Sequence, residues 1–276
     1  MNAWQAIVLG VVEGVTEFLP ISSTGHLILA QRALGLPDTV ASHAYTVCIQ
    51  AGAILAVLEL YAGRVSQMVR GILGRDAAGR RLALNIVVAF LPAAIVGLAL
   101  EKKIDEYLFG LWPVIAAWFI GGVAILAASK LRRAPAETAA RASIDALDWK
   151  GALAIGAWQC LALWPGTSRS LVTIAGGVVV GLSLASAVEF SLVLGLVTLL
   201  AATGHKAIHG SRAMLDEYGW MNVALGLAVA FAFAWISVKW MVGYLKSHGL
   251  SLFGWYRVAL ALCVAALVAA GIVSAT

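Results

Sequence analysis

Glu13 and Glu17 stand four residues apart, just ahead of Pro20, in the stretch EGVTEFLPISSTGH (13–26). That spacing puts both carboxylates on one face of a helix. Two neighbouring carboxylates in an apolar setting repel each other, so they must share a proton or be bridged by a cation. Oxygen ligands suit a hard divalent ion such as Mg2+ or Ca2+. Beyond Pro20, Ser22, Ser23 and Thr24 fall at the cap positions of a second helix, whose free N–H groups favour an anion. His26 follows within the first turn and suits a proton donor, a proton acceptor or a nucleophile. A second polar island, PGTSRS (165–170), lies far along the chain. Pro165 and Gly166 turn the backbone there, Thr167, Ser168 and Ser170 offer hydroxyls, and Arg169 supplies a planar, permanently charged fork for phosphate oxygens. If the two islands meet, they make a pocket for a doubly anionic phosphate or diphosphate head group, with a metal held by Glu13 and Glu17.

Each of these residues also has a plain structural reading. Ser22 and Thr24 serve as helix caps, His26 as a satisfied core histidine, Arg169 as a donor to backbone carbonyls. Burying two acids or an unpaired guanidinium is costly in an apolar medium, which weighs against that reading for Glu13, Glu17 and Arg169. Gln50 stands evenly between pocket and packing. Glu59 and Lys239 read as snorkelling side chains near span ends, and Glu189 and Arg257 as structural tethers.

The elements that must position these groups follow from composition. Of 276 residues, 62% are hydrophobic and 12% charged, against about 25% charged in soluble domains. Long apolar stretches recur throughout, the mark of a multi-pass membrane protein. The net charge of +5 comes from basic residues clustered between spans, a topology signal with no nucleic-acid patch expected. Cys48, Cys160 and Cys263 have neither paired nor metal-ligand spacing. The start, MNAWQAIVLG, lacks a basic leader, so no cleavable signal peptide is expected.

Six stretches are long enough to cross a bilayer as helices: about 44–62, 82–100, 110–129, 185–203, 221–244 and 253–275. Two others, about 3–33 and 151–182, are interrupted by Pro20 and by Pro165-Gly166 and read as re-entrant hairpins, since irregular backbone at membrane depth must be buried in protein. The arginine-rich connections 63–81 and 130–150 should be cytoplasmic, and the connections 101–107 and 204–219 should face outward, which leaves both termini outside. Shifting the chain by 145 residues pairs Trp4 with Trp149, Pro20 with Pro165, Ser22 with Thr167 and Ser23 with Ser168. Each half is then one hairpin and three crossings, and an odd number of crossings inverts the second half. The expected fold is a single all-α polytopic membrane domain. It has six transmembrane helices and two re-entrant helical hairpins in an inverted-topology repeat, with halves about 1–129 and 148–276 and a cytoplasmic linker about 130–147.

EGVTEFLPISSTGHL and PGTSRSLVTIAGG resemble the two signature motifs of the undecaprenyl-diphosphate phosphatase family of the bacitracin-resistance type. IQAGAILAVL (49–58), FLPAAIVGL (90–98) and VEFSLVL (188–194) resemble it as well, so the likeness spans nearly the whole chain. The resemblance implies hydrolysis of undecaprenyl diphosphate to the monophosphate, recycling the lipid carrier of cell-wall synthesis in the bacterial inner membrane. It further implies a divalent metal, an active site open to the periplasm, and a homodimer. By motif, Glu13 and Glu17 correspond to the acidic pair, Ser23 to the nucleophilic serine, His26 to the essential histidine, and Ser168 and Arg169 to the diphosphate-binding pair. The chain departs from the family at Leu171 and Val172, where small residues are usual, which should narrow the space beside Arg169. It departs again at Val197, where a proline is common. A transporter or flippase of a phosphate-bearing lipid is the rival reading, because broken helices in inverted repeats also build transport sites.

Overall fold

The structure, a computed structural model, describes residues 1–37, 39–108, 110–131 and 142–273. They form helices α1 (Ala3–Thr16), α2 (Ser23–Ala33), α3 (Val40–Leu60), α4 (Ala62–Ile72), α5 (Ala77–Leu108), α6 (Leu111–Leu131), α7 (Trp149–Gln159), α8 (Arg169–Val179), α9 (Leu184–Leu245) and α10 (Ser251–Ala269). Among the described residues, six stretches have the length and apolarity to cross a membrane: Val40–Leu60, Ala77–Ile104, Leu111–Lys130, Leu184–Gly204, Arg212–Leu245 and Ser251–Ala269. The fold is all-α and polytopic.

Three connections differ from expectation. The 204–219 connection is helical, part of the 62-residue α9, and only Gly219 breaks it, with φ 73°. Residues 101–107 extend α5 in place of a loop. The 63–81 connection contains α4, whose C-terminal side leaves Val69 and Ile72 exposed. The linker core, 132–141, lies outside the described residues. The tethers expected at Glu189 and Arg257 are both engaged. Glu189 accepts from Arg64 Nε at 2.6 Å, and Arg64 also reaches Asp145 at 3.3 Å. Glu59 accepts from Trp235 Nε1 at 2.5 Å, and Lys239 sits 3.6 Å above the Trp235 ring.

The two interrupted helices share a design. Asn2 caps α1 and Asp148 caps α7 through side-chain oxygens that accept the N–H group three residues on. α2 and α8 each begin after a serine with a φ that L-residues rarely adopt, Ser22 at 74° and Ser168 at 76°. These caps repeat at a spacing of 146. The prolines pair at 145, since one more residue separates Pro165 from its cap than separates Pro20 from Ser22. Each such backbone conformation costs on the order of 1–3 kcal/mol and persists only where the surroundings enforce it.

The surroundings do enforce it at the first break. Four successive carbonyls have no helical partner, and each receives a side-chain donor from elsewhere. Ser170 Oγ donates to Leu19 at 2.9 Å, Arg257 Nη1 to Pro20 at 3.4 Å, Trp118 Nε1 to Ile21 at 3.0 Å and His26 Nδ1 to Ser22 at 2.6 Å. Arg257 also reaches the second break, donating to Gly166 at 2.9 Å and to Ala117 at 2.8 Å. Its side chain is 0% exposed, so backbone carbonyls replace water around its charge. α10 therefore fastens both breaks to α6. Close helix packing brings the breaks together: α1 and α3 lie on α9, and α7 lies on α5. The largest apolar cluster, including Phe18, Ile86, Ile174, Phe190 and Val193, fills the space between them.

Candidate active site

Glu17 closes the last turn of α1, and Arg169 opens α8. Although 152 positions separate them in the chain, Arg169 Nη2 lies 3.2 Å from Glu17 Oε1. The other Glu17 oxygen accepts a very short hydrogen bond from the Ser23 hydroxyl. One carboxylate thus joins a hydroxyl from the first island to a guanidinium from the second. Arg169 is itself held: Nη1 donates to the Ser191 carbonyl at 3.2 Å, and the guanidinium carbon lies 5.5 Å from the Phe18 ring centroid. Its Nε has no hydrogen-bond partner.

Gly195 makes this placement possible. A Cβ there would lie 2.8 Å from Arg169 Cζ and closer still to Nη1. The α9 turn that carries Ser191 and Gly195 therefore gives the arginine one acceptor and one gap. Thr173 binds Ser191 across the same contact, Oγ to Oγ at 2.6 Å. Sequence reasoning passed over Phe18, Ser191, Thr173 and Gly195, since each reads as ordinary packing until α8 and α9 are laid side by side.

The pair borders a cavity of about 570 Å³. Glu17, Ser22, Ser23, Thr24, Ser168 and Arg169 make its polar end, with Gln50 and Gln159. Phe90, Ala94, Leu98, Ile104 and Leu199 make its apolar wall, which runs to Glu101 near the end of α5. A charged head group fits the first end, and a hydrocarbon chain fits the second.

The remaining expected residues fall in several places. Glu13 is 0% exposed beside this site, and neither of its carboxylate oxygens has a hydrogen-bond partner. Ser22 is the α2 cap by position but makes no side-chain capping bond, so its hydroxyl is not spent there. Ser168 caps α8 by accepting from Leu171 N–H at 3.3 Å and pairs with Ser170 Oγ at 3.0 Å. Ser170 is engaged with the Leu19 carbonyl and does not border the cavity. Thr167 gives its backbone N–H to Trp164 and stands outside the lining. His26 also stands outside it. Its Nδ1 donates to the Ser22 carbonyl, its Nε2 meets Tyr256 Oη at 2.8 Å, and its ring stacks on Tyr256 and meets Trp118 edge-on. Leu171 and Val172 are buried away from the cavity. Neither narrows the cavity, since neither is among its lining residues.

The chain matches the family described as bacitracin resistance protein BacA over residues 6–263. A protein of Sorangium cellulosum named undecaprenyl-diphosphatase is 47% identical over 259 residues, covering 93% of this chain and 83% of the relative. One of Rhodospirillum rubrum named undecaprenyl-diphosphatase 2 is 43% identical over 270 residues, 98% of this chain and 96% of the relative. An undecaprenyl-diphosphatase of Nitrosomonas europaea is 45% identical over 262 residues, 94% and 92%.

Proposed function

Because the chain belongs to the bacitracin resistance protein BacA family, we infer that it is an undecaprenyl-diphosphate phosphatase. It is a membrane hydrolase that converts undecaprenyl diphosphate to undecaprenyl phosphate and inorganic phosphate, returning the carrier to cell-wall synthesis. The observation that carries the residue-level reading is Glu17, gripped between the Ser23 hydroxyl and the Arg169 guanidinium at the polar end of the cavity.

In the mechanism we propose, the diphosphate enters beside Arg169, whose remaining N–H groups and charge stabilise the phosphoryl oxygens as charge builds on them. Ser23 Oγ attacks the terminal phosphorus while its proton passes to Glu17. The bond from that phosphorus to the bridging oxygen breaks, and the polyprenyl monophosphate leaves with the bond's electrons. Glu17 returns that proton to the departing phosphate oxygen. It then takes a proton from the water that attacks the phosphoserine and passes it to Ser23 Oγ as the bond from Oγ to phosphorus breaks and phosphate is freed. Ser22, Thr24 and Ser168 surround the head group as hydrogen-bonding hydroxyls, with Thr167 and Ser170 shaping the turn that presents Ser168 and Arg169. His26 acts by holding the Ser22 carbonyl and thereby the conformation that aims Ser23.

A divalent cation, Mg2+ or Ca2+, belongs to this proposal. Glu13 fits it, since a buried carboxylate with two unpartnered oxygens costs several kcal/mol unless a cation or a proton joins it. Among the described residues no three His, Cys, Asp or Glu side chains gather into a self-sufficient site. Glu13 and Glu17 would hold the ion together with substrate phosphate oxygens, an arrangement usual for Mg2+. When bound, the ion supplies charge neutralisation to the diphosphate.

The proposal extends to location. The cavity reaches Glu101 and Ile104, at the α5 end remote from the arginines at 64–81. With those arginines cytoplasmic, the cavity opens to the periplasm, the chain lies in the inner membrane, and the two hairpins enter from opposite faces as an inverted repeat. The homodimer rests on the resemblance alone. Phosphate release by purified protein from undecaprenyl diphosphate tests the function. Loss with Glu17→Gln and with Arg169→Ala supports the residue roles. Lipid translocation without hydrolysis would favour the flippase reading.

A further inference from the structure

Gln159 ends α7 and is 1% exposed, yet it borders the cavity. Thr198 Oγ1 lies 3.4 Å from its Oε1, and the same hydroxyl reaches the Leu194 carbonyl at 3.0 Å. The amide nitrogen has no hydrogen-bond partner. A buried donor left unpaired is destabilising and is uncommon in folded chains. Its place in the fold sharpens the point. Gln159 precedes the Ser168 cap by the same nine residues that separate Glu13 from the Ser22 cap. One break carries an acid with two idle acceptors, and the other carries an amide with an idle donor.

We propose that Gln159 is a substrate-binding residue that gives its amide N–H to a phosphate oxygen of the lipid diphosphate. The inference rests on the phosphatase reading of the same cavity. Chemistry favours that ligand. The groups lining the cavity with Gln159 include Arg169, Ser22, Ser23 and Ser168, whose guanidinium and hydroxyls match an oxyanion. A neutral amide adds a donor there without adding a second buried cation that would compete with Arg169 for Glu17. A carboxylate at the same place would repel the diphosphate. Because the contact forms on binding and is kept through the reaction, it strengthens ground state and transition state alike, so its loss raises KM and leaves kcat in place.

The test is equilibrium binding of a prenyl methylenediphosphonate, in which CH2 replaces the bridging oxygen, to purified full-length protein, with steady-state kinetics alongside. Gln159→Leu keeps the volume and removes the donor. It should weaken binding and raise KM by roughly ten- to a hundredfold with kcat within about threefold of wild type, the range expected for one hydrogen bond to a charged acceptor. Gln159→Glu should bind more weakly still. Gln159→Met, a second isosteric variant, should match Gln159→Leu. Unchanged Kd and KM in Gln159→Leu and Gln159→Met would overturn the inference, as would a lowered melting temperature with Kd and KM intact, which assigns the residue to packing. Binding of the analogue without hydrolysis of undecaprenyl diphosphate would refute the phosphatase reading instead, and Gln159 would still be judged by Kd.

Discussion

Gly195→Ala is a one-methyl change with a consequence that the geometry sets. The added carbon would sit 2.8 Å from Arg169 Cζ and 2.9 Å from Nη2. Non-bonded carbon contacts settle near 3.5–4.0 Å, so the guanidinium must retreat by about 1 Å. It has little room to do so and keep its partners, since Ser191 O and Glu17 Oε1 are each already 3.2 Å away. A further ångström takes at least one of them out of hydrogen-bonding range. A displacement of about 1 Å in a group that positions the reacting atoms costs on the order of a hundredfold in rate, or about 2.7 kcal/mol. Stability should move much less. The clash falls on the end of a flexible side chain, and alanine gains about 1 kcal/mol over glycine inside a helix, offsetting part of the lost bonding. Phosphate release from a polyprenyl diphosphate should therefore drop about a hundredfold in kcat/KM while the melting temperature stays within about 4 °C. Gly97→Ala is the control. It too lies at the cavity, but its Cβ would meet only the Leu163 methyl at 3.2 Å, and activity should hold within about threefold. Gly195→Ala with wild-type kinetics would refute the claim that this gap places the arginine.

Other perturbations separate the supports from the chemistry. Arg257→Met strips donors from the Pro20, Ala117, Trp118 and Gly166 carbonyls at once. Thermal unfolding should show a loss of about 3 kcal/mol or more, with partial recovery in Arg257→Lys. Tyr256→Phe removes only the contact to His26 Nε2, so steady-state rates should fall less than about tenfold, whereas His26→Ala, which also releases the Ser22 carbonyl, should cost clearly more. Glu189→Gln weakens a partly exposed pair with Arg64 outside the cavity lining. It should lower stability by less than about 1 kcal/mol and leave kcat and KM unchanged.

Much of the fold was legible because lipid demands it. Spans near 44–62, 82–100 and 110–129 are simply the apolar runs long enough to cross, and they fall on α3, α5 and α6, with α5 running longer at both ends. Pro20 and Pro165-Gly166 announced both breaks, since a helix cannot run through them with polar residues crowding the next turn. The meeting of the two islands at one pocket was expected from their side-chain chemistry. The direct contact of Glu17 with Arg169 was not, because the acids were expected to share a proton or a cation and the arginine to meet phosphate. What the sequence hid was contact chemistry. His26 looks like a proton carrier by type, yet its nitrogens go to Ser22 and Tyr256, a partner 230 positions away. Leu171 and Val172 look like intruders beside Arg169, but both are buried and neither borders the cavity. The polar composition of 204–219 suggested a loop, although those residues propagate α9 until Gly219 adopts a positive φ. Gly195 gave no signal at all, because a glycine in an apolar run announces closeness without naming the neighbour.

The central claim is that Glu17 and Arg169 act as parts of one site, and a double-mutant cycle on phosphate release measures it. Glu17→Gln, Arg169→Gln and the double variant are compared by kcat/KM with wild type, each checked for intact melting. Groups that work as a unit lose most of their effect with the first substitution, so the double variant should fall scarcely below the worse single one. Losses that multiply, with the double variant slower by the product of the two singles, would contradict the account.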